Sequence, residues 1–198
     1  KLLYQLGVSY YEPFYNSYVA QNRWIKEQTL LLSPSEKQAV SDFLWNNALP
    51  ENKNYKYDFF YDNCATKIRD VLQLVLGQKL EYTDAYITEE YTFRQLIQQR
   101  LDANSWGSLG IDIALGAVID RKAKPLEYQF LPAYVYQAAA TAVIHREGGN
   151  EPLVQATTVL FENTPTPTEE NFLTSPLFIL GIFGLLIVLL TYRDFKRA

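Results

Sequence analysis

The chain contains a single Cys and a single His, which narrows its side-chain chemistry to a few arrangements. Cys64 lies in the segment YKYDFFYDNCATKIRDVLQLVLG. Ile68, Val71, Leu72 and Val75 recur at helical spacing and Cys64 stands four before Ile68, so the pattern predicts a helix over residues 64–76 that stops at Gly77. This places Cys64 in the first turn, on the apolar side. Asp62 or Asn63 can cap such a helix. The unpaired amides and the positive end of the helix dipole then face the sulfur. A helix start favours the thiolate, the nucleophilic form of cysteine, and the same amides can receive the oxyanion of an acyl intermediate. A strand, a tight Asp-Asn turn and a Cys at a helix start suit thiol-based acyl transfer. The competing reading is a small thiol packed in the core. Tyr61, Asp62 and Asn63 are the supporting candidates beside Cys64.

A nucleophilic Cys needs a base, usually His. His145, in AAATAVIHREGG, falls at the end of a helix predicted over residues 131–144, just before Gly148 and Gly149. There it suits the helix C-terminus better than the thiol, so the base is expected upstream of Lys1. Asp58 reads as either a buried carboxylate near the site or a solvated strand residue. Arg69 is expected to pair with a surface carboxylate, and residues 121–125 form a small basic cluster suited to solvent or to anionic headgroups.

The same counts exclude several classes. One Cys cannot form a disulfide framework or a Cys-rich zinc site, and one His cannot form a His-rich metal cluster, so no cofactor or metal is expected. The net charge of −4 gives no electrostatic footprint for nucleic acid. With 48% hydrophobic and 20% charged residues, wholesale disorder is excluded.

The elements that must position the thiol alternate along the chain. Residues 1–10 read as a strand, 12–20 as a helix and 23–32 as extended. Ser33-Pro34-Ser35-Glu36 is a strong helix start, with Ser as cap, Pro at the first helical position and Glu completing a capping box. Val40, Phe43, Leu44 and Asn47 share one face of that helix. Residues 55–60 read as a strand, 92–101 and 109–115 as helices, and 151–161 as a closing strand. This mixture predicts an α+β body over residues 1–163.

Residues 164–175 read as a stiff Thr/Pro spacer and 176–192 as a membrane-spanning helix. The basic residues in 193–198, against none in the preceding spacer, place the C-terminal end in the cytoplasm and the body outside. The chain has no Met and begins in mid-strand at Lys1, so it reads as a piece of a longer protein with part of its chemistry upstream.

The stretches KLLYQLGVSYYEPF, LSPSEKQAVSDFLWNNALPENKNYKYDFFYDNCATKIRDVL, GIDIALGAVIDRKAKP, QFLPAYVYQAAATA and TSPLFILGIFGLLIVLLTYRDFKR resemble a bacterial family of periplasmic domains, the Lnb-type lipoprotein N-acyltransferases. They cover most of the chain in order, and YDFFYDNCATKIRD is the most specific. The resemblance implies a circularly permuted papain-like fold with Cys64 as nucleophile. It also implies a catalytic His in a Gly-His-Ser-like segment before the first strand, which this sequence lacks, and further membrane helices after the first. Asp112 and Asp120, in the matching GIDIALGAVIDR stretch, are possible site-lining residues, with helix capping and turn anchoring as their ordinary roles.

The implied activity moves an acyl chain from a membrane phospholipid, through a Cys64 thioester, to the N-terminal amine of a lipoprotein at the bacterial inner membrane. The alternatives are a periplasmic cysteine peptidase or amidase, and a membrane-tethered envelope binding module whose Cys64 is a core residue.

Overall fold

A computed structural model describes residues 2–164 and 171–197. The chain is mixed α/β and groups into two compact units, one of Lys1–Glu89 with Lys124–Pro165, the other of Glu90–Ala123 with Thr166–Ala198.

The first unit opens with β1 (Leu3–Gln5), α1 (Tyr11–Ala20) and β2 (Ile25–Leu30). The strand read over residues 1–10 therefore pairs only over three residues. α2 (Pro34–Asn47) begins as its residues dictate: Ser33 Oγ accepts from the Glu36 amide, and Glu36 reaches back to the Ser33 amide at 2.8 Å. β3 (Asn54–Lys56) pairs antiparallel with β1, so the strand read over residues 55–60 is short and shifted. α3 (Cys64–Leu76) ends at Gly77, whose φ of +60° suits glycine. β4 (Leu80–Glu81) completes this half of the unit.

In the second unit, α4 (Phe93–Gln98) and α5 (Trp106–Leu115) fall within or beside the two helices expected there. The chain then returns to the first unit through α6 (Pro125–Tyr128) and α7 (Pro132–Thr141). α7 ends earlier than its apolar pattern suggests, because β5 (Val143–Arg146) pairs with β4 on one side and β6 (Gly149–Pro152) on the other. β7 (Val154–Phe161) pairs antiparallel with β2. The sheets are small and antiparallel, and the core of the unit lies where α3, α7 and β5 meet: Leu72, Leu76, Leu80, Ala139, Ala142, Ile144 and Leu153 pack together.

The last element, α8 (Pro176–Phe195), is uncharged from its start to Tyr192 and almost wholly exposed. Its 20 residues span about 30 Å at 1.5 Å per residue, the thickness of a bilayer core. Of the spacer, residues 165–170 lie outside the described residues; Thr164 is held at its amide and carbonyl by the Asn22 side chain, at 2.9 and 2.7 Å.

Candidate active site at Cys64

The segment before α3 folds into a tight loop. Asp58 and Asp62 exchange backbone hydrogen bonds at 2.9 and 3.1 Å, and Asp58 Oδ1 accepts from the amides of Phe60 and Tyr61. Asp58 is thus a turn-forming residue. Phe59, Phe60 and Tyr61 belong to this turn rather than to a strand, and Tyr61 is exposed.

Between the two candidate caps the structure selects Asn63. Its Oδ1 accepts from the Ala65 amide at 2.8 Å and the Thr66 amide at 3.0 Å. Its Nδ2 donates to the carbonyls of Phe59 at 2.8 Å and Phe130 at 2.9 Å. Thr66, itself fully buried, accepts from the Asn63 amide and donates to the Asn63 carbonyl. This buried amide ties the loop, the helix start and the segment between α6 and α7 together. Asp62 stays at the rim, paired with Lys67 at 2.8 Å and reached by the Tyr4 hydroxyl at 3.4 Å.

Cys64 is exposed. The expectation that it lies on the buried side of α3 is therefore corrected. The core side of the helix is carried by Ala65, Leu72 and Leu76, whereas Ile68 is 57% exposed. Cys64, Ile68, Val71 and Leu72 line an open groove of about 480 Å³, flanked by Tyr4 of β1, Leu6 just after it, Leu30 of β2, Val40 and Leu44 of α2 and Tyr55 of β3. A second hollow of about 420 Å³ shares Leu6, Gly7 and Leu44 with the first and runs on to Val8 and Trp45. The apolar stripe of α3 thus lines one wall of a groove and, through Leu72, also packs into the core. The oxyanion expectation also narrows. The Ala65 and Thr66 amides are taken by Asn63 and the Lys67 amide by the Asn63 carbonyl, so Cys64's own amide is the member of the first turn with no partner among the described residues.

Three tyrosines stand around the thiol. Tyr4 stacks on Tyr55 with centroids 5.2 Å apart and meets Tyr57 edge-on at 5.2 Å. Burial, reinforced by the Asp62 carboxylate, pushes the Tyr4 phenol up to about 12. Burial also raises Tyr57, with Cys64 and Asp58 adding to it. Both phenols keep their protons at neutral pH, which makes them hydrogen-bond donors and disqualifies them as bases. Lys67 brings a positive charge to the groove, 4.7 Å from the centre of the Tyr55 ring. Neither Tyr4 nor Lys67 stands out in the sequence. Lys67 could have been found three residues after Cys64, on the same side of the helix start, but Tyr4 is placed only by the β1–β3 pairing.

His145 sits in β5 and not at a helix end, which corrects its expected role as a C-terminal cap. Its Nε2 meets Glu81 Oε2 at 2.7 Å and its Nδ1 meets Asn150 Oδ1 at 2.8 Å. It does not line the groove. Both neighbours raise its proton affinity, Asn150 most and then Glu81. Asp112 and Asp120 lie in the second unit, where Arg94 contacts both, Asp120 at 2.6 Å. Arg69 pairs with adjacent Asp70 at 2.7 Å, and Lys122 with Glu90 at 2.5 Å. No group of three or more His, Cys, Asp or Glu suited to a metal occurs among the described residues.

The family model for the Lnb N-terminal periplasmic domain matches residues 1–99, half of the chain and the half that contains Cys64 and every residue lining its groove. No curated protein and no solved structure matches the chain.

Proposed function

Because the chain belongs to the family of Lnb N-terminal periplasmic domains, we propose that it is the thiol-bearing part of a membrane-anchored cysteine acyltransferase. One observation carries this reading: the Cys64 thiol opens at a capped helix start onto an apolar groove of about 480 Å³. That volume is in the ordinary range for a small-molecule site, and its continuation past Leu44 suits a long, flexible hydrocarbon better than a peptide with its polar backbone.

In the first step the thiolate attacks the ester carbonyl of a membrane phospholipid. The C–S bond forms, the ester C–O bond breaks and the lipid alcohol leaves with the proton that the general base took from the thiol. In the second, the N-terminal amine of a lipoprotein attacks the thioester. An amide forms, the C–S bond breaks and the sulfur regains its proton. The Cys64 amide meets the developing oxyanion in both steps. The apolar walls keep water from the thioester and so favour transfer over hydrolysis. His145 does not line the groove, and the family resemblance assigns the general base to a His in a segment before β1. A permuted papain-like arrangement would put it there. The body lies in the periplasm, α8 crosses the inner membrane, and the basic end with Arg193, Lys196 and Arg197 lies in the cytoplasm.

The test is Cys64→Ser in the full-length protein, expressed as the sole copy in cells. The expected result is loss of lipoprotein N-acylation, with a wild-type acyl-thioester on Cys64 that is seen by intact mass and released by hydroxylamine. Unchanged N-acylation would refute the enzyme reading and leave the binding module. A thioester from lipid released only to water, with no amide product, would identify a lipid-ester hydrolase, and a Cys64-dependent cleavage of an amide or peptide substrate in its place would identify a peptidase or amidase.

A further inference from the structure

In the second unit, the outward surface of α5 and of the 3-10 turn that follows it (Gly116–Asp120) carries no charge except at its last residue. Trp106, Ile113 and Val118 are 51%, 74% and 76% exposed, and the exposed positions between them are Gly107, Gly110, Ala114 and Ala117. At 100° per residue, positions 106, 110, 113 and 114 fall within an arc of about 100°, one side of the helix. The acidic residue of the helix, Asp112, contacts Arg94, which also holds Asp120 and donates to the Gly116 carbonyl at 2.8 Å. The polar groups are thus gathered by Arg94, and an apolar face left uncovered by the described residues lies outside.

The same unit fixes where this face begins. Trp106 Nε1 donates to the carbonyl of Thr174 at 2.9 Å, and the Leu177 amide donates to Asn104 Oδ1 at 3.1 Å. Both bonds grip the first turn of α8 and the residues just before it. If α8 crosses the bilayer, Pro176 stands at the edge of the hydrocarbon and Trp106 is pinned at that level, the depth where amphipathic indoles concentrate. Phe172 and Leu173, 56% and 61% exposed beside it, extend the apolar surface.

We propose that the α5 face lies in the bilayer surface, as an interfacial foot continuous with the start of α8. The inference rests on the reading of α8 as membrane-spanning. Water would meet an uncharged face of Trp, Ile and Val at a cost; the headgroup–acyl boundary accepts the same face, with its backbone bonds already made inside the helix. The foot supplies a second, surface-parallel attachment, so the second unit cannot swing freely about a single helix.

The experiment uses the full chain with Cys64→Ser, reconstituted in vesicles of phosphatidylethanolamine and phosphatidylglycerol. Single cysteines (Ile113→Cys, Val118→Cys, Leu186→Cys in α8, and Glu51→Cys as an exposed control) carry a nitroxide whose contact with oxygen and with a water-soluble nickel chelate is measured. The expected result at 113 and 118 is a severalfold higher oxygen-to-nickel ratio than at 51, at a depth shallower than 186. Nickel access at 113 and 118 equal to that at 51, or shielding from both reagents, overturns the foot; the second outcome means that protein covers the face. Nickel access at 186 overturns the crossing helix itself, so the two failures are distinguishable. As a second measurement, Trp106 is left as the sole tryptophan by Trp24→Phe and Trp45→Phe. Its fluorescence should be lost most to lipids brominated near the headgroup, and equal intensity with and without bromine overturns the foot.

Discussion

Replacing Asn63 with Ala isolates what holds Cys64 in place. The side chain is 4% exposed and makes four hydrogen bonds. Losing the cap costs about 1 kcal/mol. The carbonyls of Phe59 and Phe130 lose their donor as well, at about 1 kcal/mol each. The sum of about 3 kcal/mol is a large part of the ordinary 5–15 kcal/mol of a folded domain and shifts the folding equilibrium by about two decades. With a urea slope of about 2 kcal/mol per molar, the midpoint of the wild-type full chain in detergent should fall by about 1.5 M. Trp24 and Trp45 fluorescence reports the first unit. Asn63→Asp should be no better than Ala: its carboxylate still serves the two amides but repels the two carbonyls. Asp62→Ala is the control. Its pair with Lys67 is about a third exposed, so it should cost less than about 1 kcal/mol. A drop below about 0.5 M for Asn63→Ala, or an equal drop for Asp62→Ala, would refute the assignment of Asn63 as the cap that fixes the thiol.

Two further outcomes test the scaffold. Glu36 caps α2, accepts two bonds from Arg146 at 2.9 and 3.0 Å, and is held down to about 2, chiefly by that guanidinium. Its contribution is therefore full above its ordinary value near 4.5 and is lost as pH falls toward about 2. The stability gap between wild type and Glu36→Gln, read by urea titration at a series of pH values, should close over that window and stay flat above it. Gly77 has φ +60° and ψ −135°, a conformation nearly restricted to glycine, so Gly77→Ala should destabilise the first unit by about 1–3 kcal/mol despite open space around the added methyl, measured in the same titration.

Local rules made much of the scaffold readable. Ser33, Pro34 and Glu36 started α2 where their types demanded, and the run from Cys64 to Gly77 bounded α3 to the residue. Such signals depend only on neighbours in sequence. The errors came where distant pairing decided the outcome. The apolar tail of α7 was taken by β5, because β4 and β6 offered it partners on both sides, and His145 went with it. The strand expected over residues 55–60 was cut short by the Asp58–Asp62 bridge, whose Asx turn competes with a ladder. Asp112 was singled out in GIDIALGAVIDR, yet its partner Arg94 is 18 residues away and no spacing announces it.

The misreading of the thiol's surroundings has a physical cause that bears on function. An apolar stripe at helical spacing states only that one side of a helix avoids water. A packed core meets that condition, and so does a groove kept for a hydrocarbon ligand. In α3 the apolar side is divided between the two: Leu76 goes to the core, Ile68 and Val71 go to the groove with Cys64, and Leu72 stands between them, packed in the core and touching the groove. The division follows from Asn63. By tying the helix start to the Phe59 and Phe130 carbonyls behind it, the cap turns Ala65 and Thr66 inward and leaves Cys64 facing out. A core cysteine would need no such fixture, and exposed apolar residues beside it would be a liability in water. On the proposed function, a thiol that meets a lipid ester has use for both.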